Sequence, residues 1–333
     1  MRALVLAPFS HQGLKALERM VPLDYESWTD TLKLTDPEEL ARRLQDQAIS
    51  ILVVEADFVF EEVFEDAQNL KLVGVCRSSL SHVDLEAATR HGVAVVNTPY
   101  RNARAVGELA LAFMLALARR LPFLDCYVKT GRWEDPVEGY ISHRGVELQG
   151  RTLGLVGLGA TGRTVARLGQ ALGMQVLAYD PYTGLLGQRK AGALLTDLNQ
   201  VLTESHFVSL HAPVTPETEG IIGRKELARM GQGAYLINTA SHDLVDQEAL
   251  VEALKSGALA GAALDVHEAH PIPTTNPLLK LDNVILTPHI GGATGETVER
   301  HSAMMVEDIG RFLEGRRPMR LANPKVWRRR RVL

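Results

Sequence analysis

The sequence has little of several features that mark specialised classes of protein. Its 333 residues include two cysteines, Cys76 and Cys126, which excludes a disulfide framework and favours a cytoplasmic location. No apolar run approaches the roughly 20 residues of a membrane helix, so no membrane partner is expected. The net charge of −4 gives no general attraction to nucleic acid. A basic run, Arg328–Arg331, could bind phosphate or nucleic acid, but a solvated tail is the simpler interpretation.

What the chain does have is a regular alternation of strand-like runs and helical stretches, which predicts an α/β fold with parallel sheets. The first series of strand-like runs comprises residues 3–6, 51–54, 71–75 and 93–96, with helical stretches near residues 37–44 and 85–90. The second series comprises residues 153–156, 176–179, 207–210, 234–237, 260–264 and 284–287. Six strands are what a complete dinucleotide-binding sheet requires.

Two longer helical patterns suggest how the chain is divided. Residues 103–121 are so apolar that we expect this helix to cross between domains or to lie in an interface, which favours a homodimer. Residues 294–313 form a second helical pattern after a glycine pair that could act as a hinge. We therefore expect a doubly wound (Rossmann) domain, residues 101–292, inserted into a smaller flavodoxin-like α/β substrate domain made of residues 1–100 and 293–333. The cleft between the two domains would hold the site.

The most specific motif is a glycine-rich turn between a strand and a helix, Gly157-Leu158-Gly159-Ala160-Thr161-Gly162. In this pattern Gly157 allows the tight turn, Gly159 lets the backbone approach a pyrophosphate, and Gly162 lets helix and strand pack closely. The backbone at Ala160 and Thr161 opens the helix, whose N-terminus attracts an anion.

An acid at the end of the next strand completes the motif. Asp180 follows Gly162 by 18 residues and can accept hydrogen bonds from a ribose diol. Its carboxylate would repel a 2′-phosphate, and no basic residue follows it directly, so NAD is favoured over NADP as the cofactor. The alternative, an ordinary structural glycine turn, does not explain the spaced acid.

Several further segments, in this order and spacing, resemble the D-isomer-specific 2-hydroxyacid dehydrogenases, and the resemblance covers nearly the whole chain. The segments are Asn97-Thr98-Pro99, Val106-Gly107-Glu108, Leu210-His211-Ala212-Pro213, Asn238-Thr239-Ala240, Ala263-Leu264-Asp265-Val266 and Thr287-Pro288-His289-Ile290-Gly291-Gly292. The resemblance implies an NAD-dependent enzyme that transfers a hydride between the nicotinamide and C2 of a 2-hydroxy or 2-oxo acid, usually as a dimer. It also implies cofactor contacts from His211, Pro213, Thr239, Ala240, Asp265, His289 and Gly291.

The catalytic positions of the family are only partly matched. His289 lies where the family has its proton-exchanging histidine. Ser241 stands where the family has the arginine that binds the substrate carboxylate, and His270 stands where it has the glutamate that stabilises the protonated histidine. His267 replaces the usual phenylalanine. Serine cannot supply a bidentate cation, and a protonated His270 would disfavour protonation of His289.

A substitute cation is available in the outer domain. Arg77, Ser78 and Ser79 occupy the loop that in this family faces the substrate carboxylate and is usually rich in glycine, so a small anionic substrate is expected there. Arg101 and Arg104 are weaker candidates, since each can equally be a surface charge.

Three interpretations remain open. The first is an NAD-dependent oxidoreductase that acts on an unusual 2-hydroxy or 2-oxo acid with an altered catalytic set. The second is an NAD-binding sensor or complex partner without dehydrogenase activity, and the third is a lyase or epimerase that holds NAD tightly. The grouped histidines match no metal-binding motif, so no metal is expected.

Overall fold

The computed structural model describes residues 1–184, 191–328 and 330. It divides into two compact units, Met1–Arg101 together with the segment that begins at Thr294 (unit 1), and Asn102–Ala293 (unit 2). The strands are β1 (Ala3–Val5), β2 (Leu23–Tyr25), β3 (Ile51–Val54), β4 (Leu72–Val75), β5 (Ala94–Asn97), β6 (Thr152–Val156), β7 (Gln175–Tyr179), β8 (Leu194–Leu195), β9 (Phe207–Leu210), β10 (Ala234–Asn238), β11 (Leu259–Leu264) and β12 (Val284–Leu286). The described helices are α1 (His11–Glu18), α2 (Trp28–Thr31), α3 (Pro37–Asp46), α4 (Glu61–Asp66), α5 (Leu85–Arg90), α6 (Ala103–Arg119), α7 (Leu121–Lys129), α8 (Pro136–Ser142), α9 (Ala160–Ala171), α10 (Leu198–Glu204), α11 (Arg224–Leu227), α12 (Gln247–Lys255) and α13 (Gly295–Leu313).

Unit 1 contains a five-stranded parallel sheet in the order β2-β1-β3-β4-β5, which is the flavodoxin-like order. Its central strands are fully buried runs such as Ile51-Leu52-Val53-Val54, as expected for a sheet that is covered on both faces. The sequence pattern missed β2, because this edge strand is only three residues long and half exposed. Helix α13 packs on α1 and reaches the sheet, where the sulfur of Met305 lies against Gly74.

A buried polar network lies beside this sheet. The guanidinium of Arg101 forms an ion pair with Glu55, and the two side chains are 11% and 12% exposed. Nη1 of Arg101 donates to Nδ1 of His301 at 2.6 Å, and Nε2 of His301 donates to the carbonyl oxygen of Pro8 at 2.7 Å. Because Nδ1 accepts and Nε2 donates, this histidine is neutral. Its burial, together with the charge of Arg101, lowers the pKa of His301 to about 4.

The segment that leads into the basic run is packed against unit 1 rather than solvated. Pro324–Arg328 forms a short 3-10 helix that buries Val326, and the guanidinium of Arg330 lies 3.7 Å from the centre of the Trp327 ring. Arg329 and Arg331, the other members of the basic run, lie outside the described residues.

Unit 2 contains a seven-stranded parallel sheet in the order β12-β11-β10-β9-β6-β7-β8. This is the doubly wound order with one added strand, so the two sheets confirm the predicted α/β class. Six strands were predicted, and the seventh, β8, is a two-residue edge strand that is too short to give a periodic signal. The order reverses between β6 and β9, where a ligand crevice is expected in such sheets.

The long apolar helix α6 is buried within unit 2. Its residues Phe113, Met114 and Leu117 share a core with Leu153 of β6 and Val165 of α9. The prediction that this helix lies in an interface is therefore not needed to explain its composition. The exposed apolar side chains of this region lie instead in the next two helices, α7 and α8, which contain no buried residue.

Candidate active site

The glycine-rich turn follows β6 and leads into α9. Gly157 has a φ of +96°, and a Cβ there would lie 2.6 Å from the backbone nitrogen of Ala212. A Cβ at Gly162 would collide with the carbonyl oxygen of Gly157. By contrast, a Cβ at Gly159 would meet no atom within 4 Å. Two glycines therefore close the turn, and the third leaves space in front of the first N–H groups of α9.

The carboxylate of Asp180 holds this turn from the next strand. Its Oδ2 accepts a hydrogen bond from the backbone nitrogen of Leu158 at 2.7 Å, and its Oδ1 accepts from the nitrogens of Tyr182 and Thr183, both at 2.9 Å. Asp180 also lines a cavity of about 80 Å³ that Pro213 helps to enclose. The carboxylate is thus fixed at the end of β7, beside a small cavity.

The candidate residues of unit 2 follow one row of paired strand ends. Strand pairing aligns Tyr179, Val156, Leu210, Asn238, Leu264 and Leu286 across the sheet. The next residue in each strand is Asp180, Gly157, His211, Thr239, Asp265 or Thr287. Six strands span roughly 24 Å at about 4.8 Å each. Asp180 and the His289 loop therefore lie at opposite ends of one elongated site.

The middle of the row contains a neutral histidine and one unsatisfied hydroxyl. His211 contacts Ser209 through Nε2 at 2.9 Å from Oγ, and burial lowers the pKa of His211 to about 4, so this ring is neutral near pH 7. Oγ1 of Thr239 is buried without a hydrogen-bond partner among the described residues. Such a hydroxyl is costly unless a ligand or water satisfies it. The backbone nitrogen of the next residue, Ala240, is already bonded to Asn238 Oδ1 at 3.0 Å.

Ser241 is engaged locally rather than with the histidines. Its Oγ donates to Oδ2 of Asp243 at 2.9 Å, and its carbonyl oxygen accepts from Asn238 at 2.7 Å. The other carboxylate oxygen of Asp243 lies 3.0 Å from Nε2 of His242. The segment in which the family has its arginine therefore presents a carboxylate.

His267, His270 and His289 lie together after the ends of β11 and β12. Nδ1 of His289 is 3.3 Å from Nε2 of His270, and their ring centres are 5.3 Å apart. His267 is buried, and its ring centre lies 6.1 Å from that of His270. Beneath them, the buried carboxylate of Asp265 accepts hydrogen bonds from the backbone nitrogens of Ile290 at 2.8 Å and Gly291 at 2.7 Å.

These histidines do not form a metal site by geometry. Within the described ranges, the one group of three side chains whose ligand atoms converge is Glu61, Glu65 and His91 in unit 1, and Glu61 already binds Arg90. No described helix is both long and apolar enough to cross a membrane.

The candidate loop of unit 1 follows β4. Oγ of Ser78 accepts from the backbone nitrogen of Tyr100 at 3.0 Å, and Oγ of Ser79 lies 3.2 Å from Oγ of Ser81. Within the part of the chain that the structure describes, Arg77 has no carboxylate partner. The guanidinium contributes, after burial, to the lowered pKa of the buried His82.

The two other arginine candidates are already paired. Arg101 binds Glu55 and His301, as described above, and Arg104 binds Glu108 one helical turn away at 2.9 Å with both side chains exposed. Among the three, Arg77 alone keeps a guanidinium that no described acid neutralises.

Sequence reasoning missed two features of this site. The bond from Leu158 to Asp180 could have been found, because an acid at the end of the second strand comes close to the turn that follows the first. Asp243 gave no signal, since an acid two residues after Ser241 fits any polar loop.

The sheet order, the glycine turn and the row of polar residues at the strand ends define a dinucleotide-binding α/β protein. Residues 111–291 match the family model "D-isomer specific 2-hydroxyacid dehydrogenase, NAD binding domain". The chain belongs to the D-isomer-specific 2-hydroxyacid dehydrogenase family and carries its NAD-binding domain, which confirms the resemblance and the predicted cofactor.

Relatives of known name differ in length and chemistry. A glyoxylate reductase from Korarchaeum cryptofilum is 37% identical over 98% of this chain and 96% of its own length. A D-3-phosphoglycerate dehydrogenase from Archaeoglobus fulgidus is 38% identical over 95% of this chain, which spans 58% of that enzyme. The crystal structure of the TT0316 protein from Thermus thermophilus superposes with a TM-score of 0.83 at 38% identity, covering 97% of this chain and 100% of that one.

Proposed function

We propose that this protein is an NAD-dependent oxidoreductase that interconverts a small anionic 2-hydroxy acid and its 2-oxo acid with an altered catalytic set. NADH, when bound, supplies the hydride. The chain's own residues hold the cofactor, exchange the proton and bind the anionic group. The observation that carries the proposal is the single row of strand ends, which places the glycine turn, Asp180 and the His289 loop along one edge of one sheet.

Cofactor binding is assigned to groups that face open space or that lack a hydrogen-bond partner within the described protein. The open Gly159 and the first N–H groups at Ala160 and Thr161 fit a pyrophosphate, and Asp180 fits a ribose diol. The unpartnered Oγ1 of Thr239 fits a polar group of the bound nucleotide.

Proton exchange is assigned to His289 with His270 as its neighbour. An imidazole can donate one proton to a carbonyl oxygen and take it back from the alcohol. The 3.3 Å separation from His270 allows one hydrogen bond between the two rings, so His270 orients His289 although it carries no negative charge. The charge stabilisation that a glutamate would give is absent.

Substrate binding is assigned to Arg77. Position 241 cannot bind a carboxylate well, because the hydroxyl of Ser241 is bonded to Asp243 and that carboxylate would repel an anion. Arg77 is the described candidate cation without an acid partner, and Ser78 and Ser79 add polar groups to its loop. An acid whose carboxylate binds a guanidinium fork fits this arrangement.

A second candidate function is an NAD-binding protein without dehydrogenase activity. The Ser241–Asp243 bond favours this function, because it leaves no group at position 241 to replace the family's arginine. The missing arginine would have made two charge-assisted hydrogen bonds of about 1.5–3 kcal/mol each to the substrate. If they act only in the transition state, the rate falls by roughly 10² to 10⁴. A protein that only binds NAD would keep the cofactor contacts and would not need the arginine's hydrogen bonds to a substrate.

The test is oxidation of NADH at 340 nm with a panel of 2-oxo acids that includes glyoxylate, hydroxypyruvate and phosphorylated analogues. We expect turnover that His289→Gln abolishes, that Arg77→Gln weakens through KM for the acid, and that His91→Gln leaves unchanged. NADH binding, followed by its fluorescence, should survive in all three variants. Silence across the panel with intact NADH binding would favour the second function, and absence of NADH binding would refute both.

A gain of function tests the altered positions directly. Ser241→Arg alone is expected to fail, because the new guanidinium would pair with Asp243. The combination Ser241→Arg, Asp243→Asn and His270→Glu should raise activity toward simple 2-oxo acids by roughly 10² or more, with Asp243→Asn alone as the control. No gain would mean that substrate recognition has moved away from position 241.

We infer a homodimer built through the segment that contains α7 and α8. Leu121, Val128, Trp133, Tyr140 and Ile141 are each more than half exposed there, and such a concentration of apolar side chains marks an interaction surface. Tyr140→Glu should lower the sedimentation mass to that of a monomer, whereas Leu32→Glu, on another exposed apolar side chain, should not. A monomeric wild-type protein would contradict the proposal.

We infer a cytoplasmic location from the cysteines. Both are free, and Cys126 is exposed, so the thiol persists best in a reducing compartment.

A further inference from the structure

His289 stands on an unusual backbone. Its φ is +58°, in the left-handed region that residues with a side chain rarely adopt. A residue persists in this conformation only where its surroundings fix the backbone on both sides. The direction in which the Cα–Cβ bond of His289 points is therefore set by the bonds that hold residues 287–291.

Asp265 supplies most of these bonds. Its Oδ1 accepts from Oγ1 of Thr287 at 2.6 Å and from the backbone nitrogen of Ile290 at 2.8 Å, while its Oδ2 accepts from the nitrogen of Gly291 at 2.7 Å. The carboxylate is 1% exposed, so water does not compete for it. It fixes the residues on each side of His289, but it does not hold the carbonyl group from which the turn begins.

His267 holds that carbonyl group. Its Nε2 lies 2.9 Å from the carbonyl oxygen of Thr287, and since a carbonyl only accepts, the imidazole donates. The same oxygen accepts from the backbone nitrogen of His289 at 3.0 Å. The ring of His267 is 7% exposed and also lies beside His270. A phenylalanine, the usual residue of the family at this position, would fill the space without donating a bond.

We propose that His267 is a positioning residue for His289, holding the Thr287 carbonyl so that the left-handed turn and its imidazole keep one orientation. The catalytic part of this inference rests on the proposed function, whereas the structural part does not. In this chain the turn is bound from two sides, by a carboxylate beneath it and by an imidazole at its start.

Two variants separate the hydrogen bond from the bulk of the ring. His267→Phe keeps an aromatic ring and removes the donor, and His267→Gln keeps a donor with a smaller side chain. Hydrogen exchange is measured on the full-length protein by mass spectrometry for the peptide that contains residues 287–292. We expect at least tenfold faster exchange in His267→Phe, near wild-type exchange in His267→Gln, and no change in either for the strand Gln175–Tyr179.

Steady-state kinetics provide the catalytic arm. We expect kcat to fall about tenfold in His267→Phe with KM for NADH within twofold, and to recover to within threefold of wild type in His267→Gln. Equal exchange at residues 287–292 in all three proteins would overturn the proposal. Altered exchange in a protein without any turnover would keep the structural role and would refute the proposed dehydrogenase function instead.

Discussion

Acidification should destabilise unit 1 through one buried histidine, and His301→Gln should remove that effect. His301 is fully buried, accepts from Arg101 and donates to the carbonyl of Pro8, so the fold holds it neutral. Burial lowers the pKa of His301 from 6.5 to about 4. In the unfolded chain the ring binds a proton below pH 6.5, and in the folded protein it does not. The contribution of His301 to the free energy of unfolding is therefore fully present above about pH 6.5 and is lost as the pH falls toward 4.

The magnitude follows from the two pKa values. At pH 4.5 the ring of His301 is protonated in the unfolded chain, where its pKa is 6.5, but largely neutral in the folded protein, where its pKa is about 4. This difference lowers the free energy of unfolding by about 2–3 kcal/mol relative to pH 7. Glutamine can still donate to the Pro8 carbonyl and accept from Arg101, but it does not titrate. His301→Gln should thus be slightly less stable than wild type at pH 7 and more stable at pH 4.5.

Urea unfolding at the two pH values measures the difference. Tryptophan fluorescence is a suitable probe, because two of the three tryptophans, Trp28 and Trp327, lie in unit 1, while the third, Trp133, is exposed in unit 2. The exposed His11 in the same unit provides the control, His11→Gln, which should follow wild type. Carboxylates and His211 titrate in all three proteins and cancel in the comparison. If wild type and His301→Gln lose the same free energy of unfolding between pH 7 and 4.5, the assignment of a neutral His301 is wrong.

Three further predictions have distinct expected results. Asp180→Asn should weaken NADH binding about tenfold and reduce the preference over NADPH, because its amide nitrogen cannot accept all the backbone bonds that the carboxylate accepts and a 2′-phosphate is no longer repelled; fluorescence titration with both cofactors measures this. Gly159→Ala should weaken NADH binding without loss of stability, whereas Gly162→Ala should also lower the free energy of unfolding by about 1–3 kcal/mol, since its Cβ meets backbone; equal stability of the two would contradict the roles assigned to these glycines. Glu55→Gln should cost about 3 kcal/mol in urea unfolding because it leaves a buried guanidinium unpaired, while Glu108→Gln, in an exposed pair, should cost under about 0.5 kcal/mol.

The sequence was informative wherever structure follows from local periodicity. Buried parallel strands read as short apolar runs, so the central strands of both sheets could be placed, and their order follows from the rules for α/β folds. The edge strands β2 and β8 were not predicted, because they are only three and two residues long and are partly exposed. The function of each glycine in the turn could be argued from spacing alone, because one strand-turn-helix unit supplies all the partners.

The partners of charged side chains could not be predicted in this way. Arg101 was a candidate for substrate binding, but its guanidinium is taken by Glu55 and by His301, which lie 46 and 200 residues away in the sequence. Ser241 was identified as a departure from the family pattern, yet its bond to Asp243 depends on the loop conformation. Residue type indicates what chemistry a side chain can do, and only the fold decides which group it meets.

The departures at positions 241 and 270 remove one charge of each sign from positions where the family has them, and Asp243 adds a negative charge beside position 241. An arginine and a glutamate offer a cation to the substrate and an anion to the proton-exchanging histidine. In this chain Ser241 stands at the first position, bonded to the carboxylate of Asp243, and the imidazole of His270 stands at the second. Under the proposed function, Ser241 supplies no cation to an anionic substrate, and Arg77 is the described candidate for that charge. Activity confined to acids with a second anionic or polar group would follow from this charge pattern, and high activity toward glyoxylate would not.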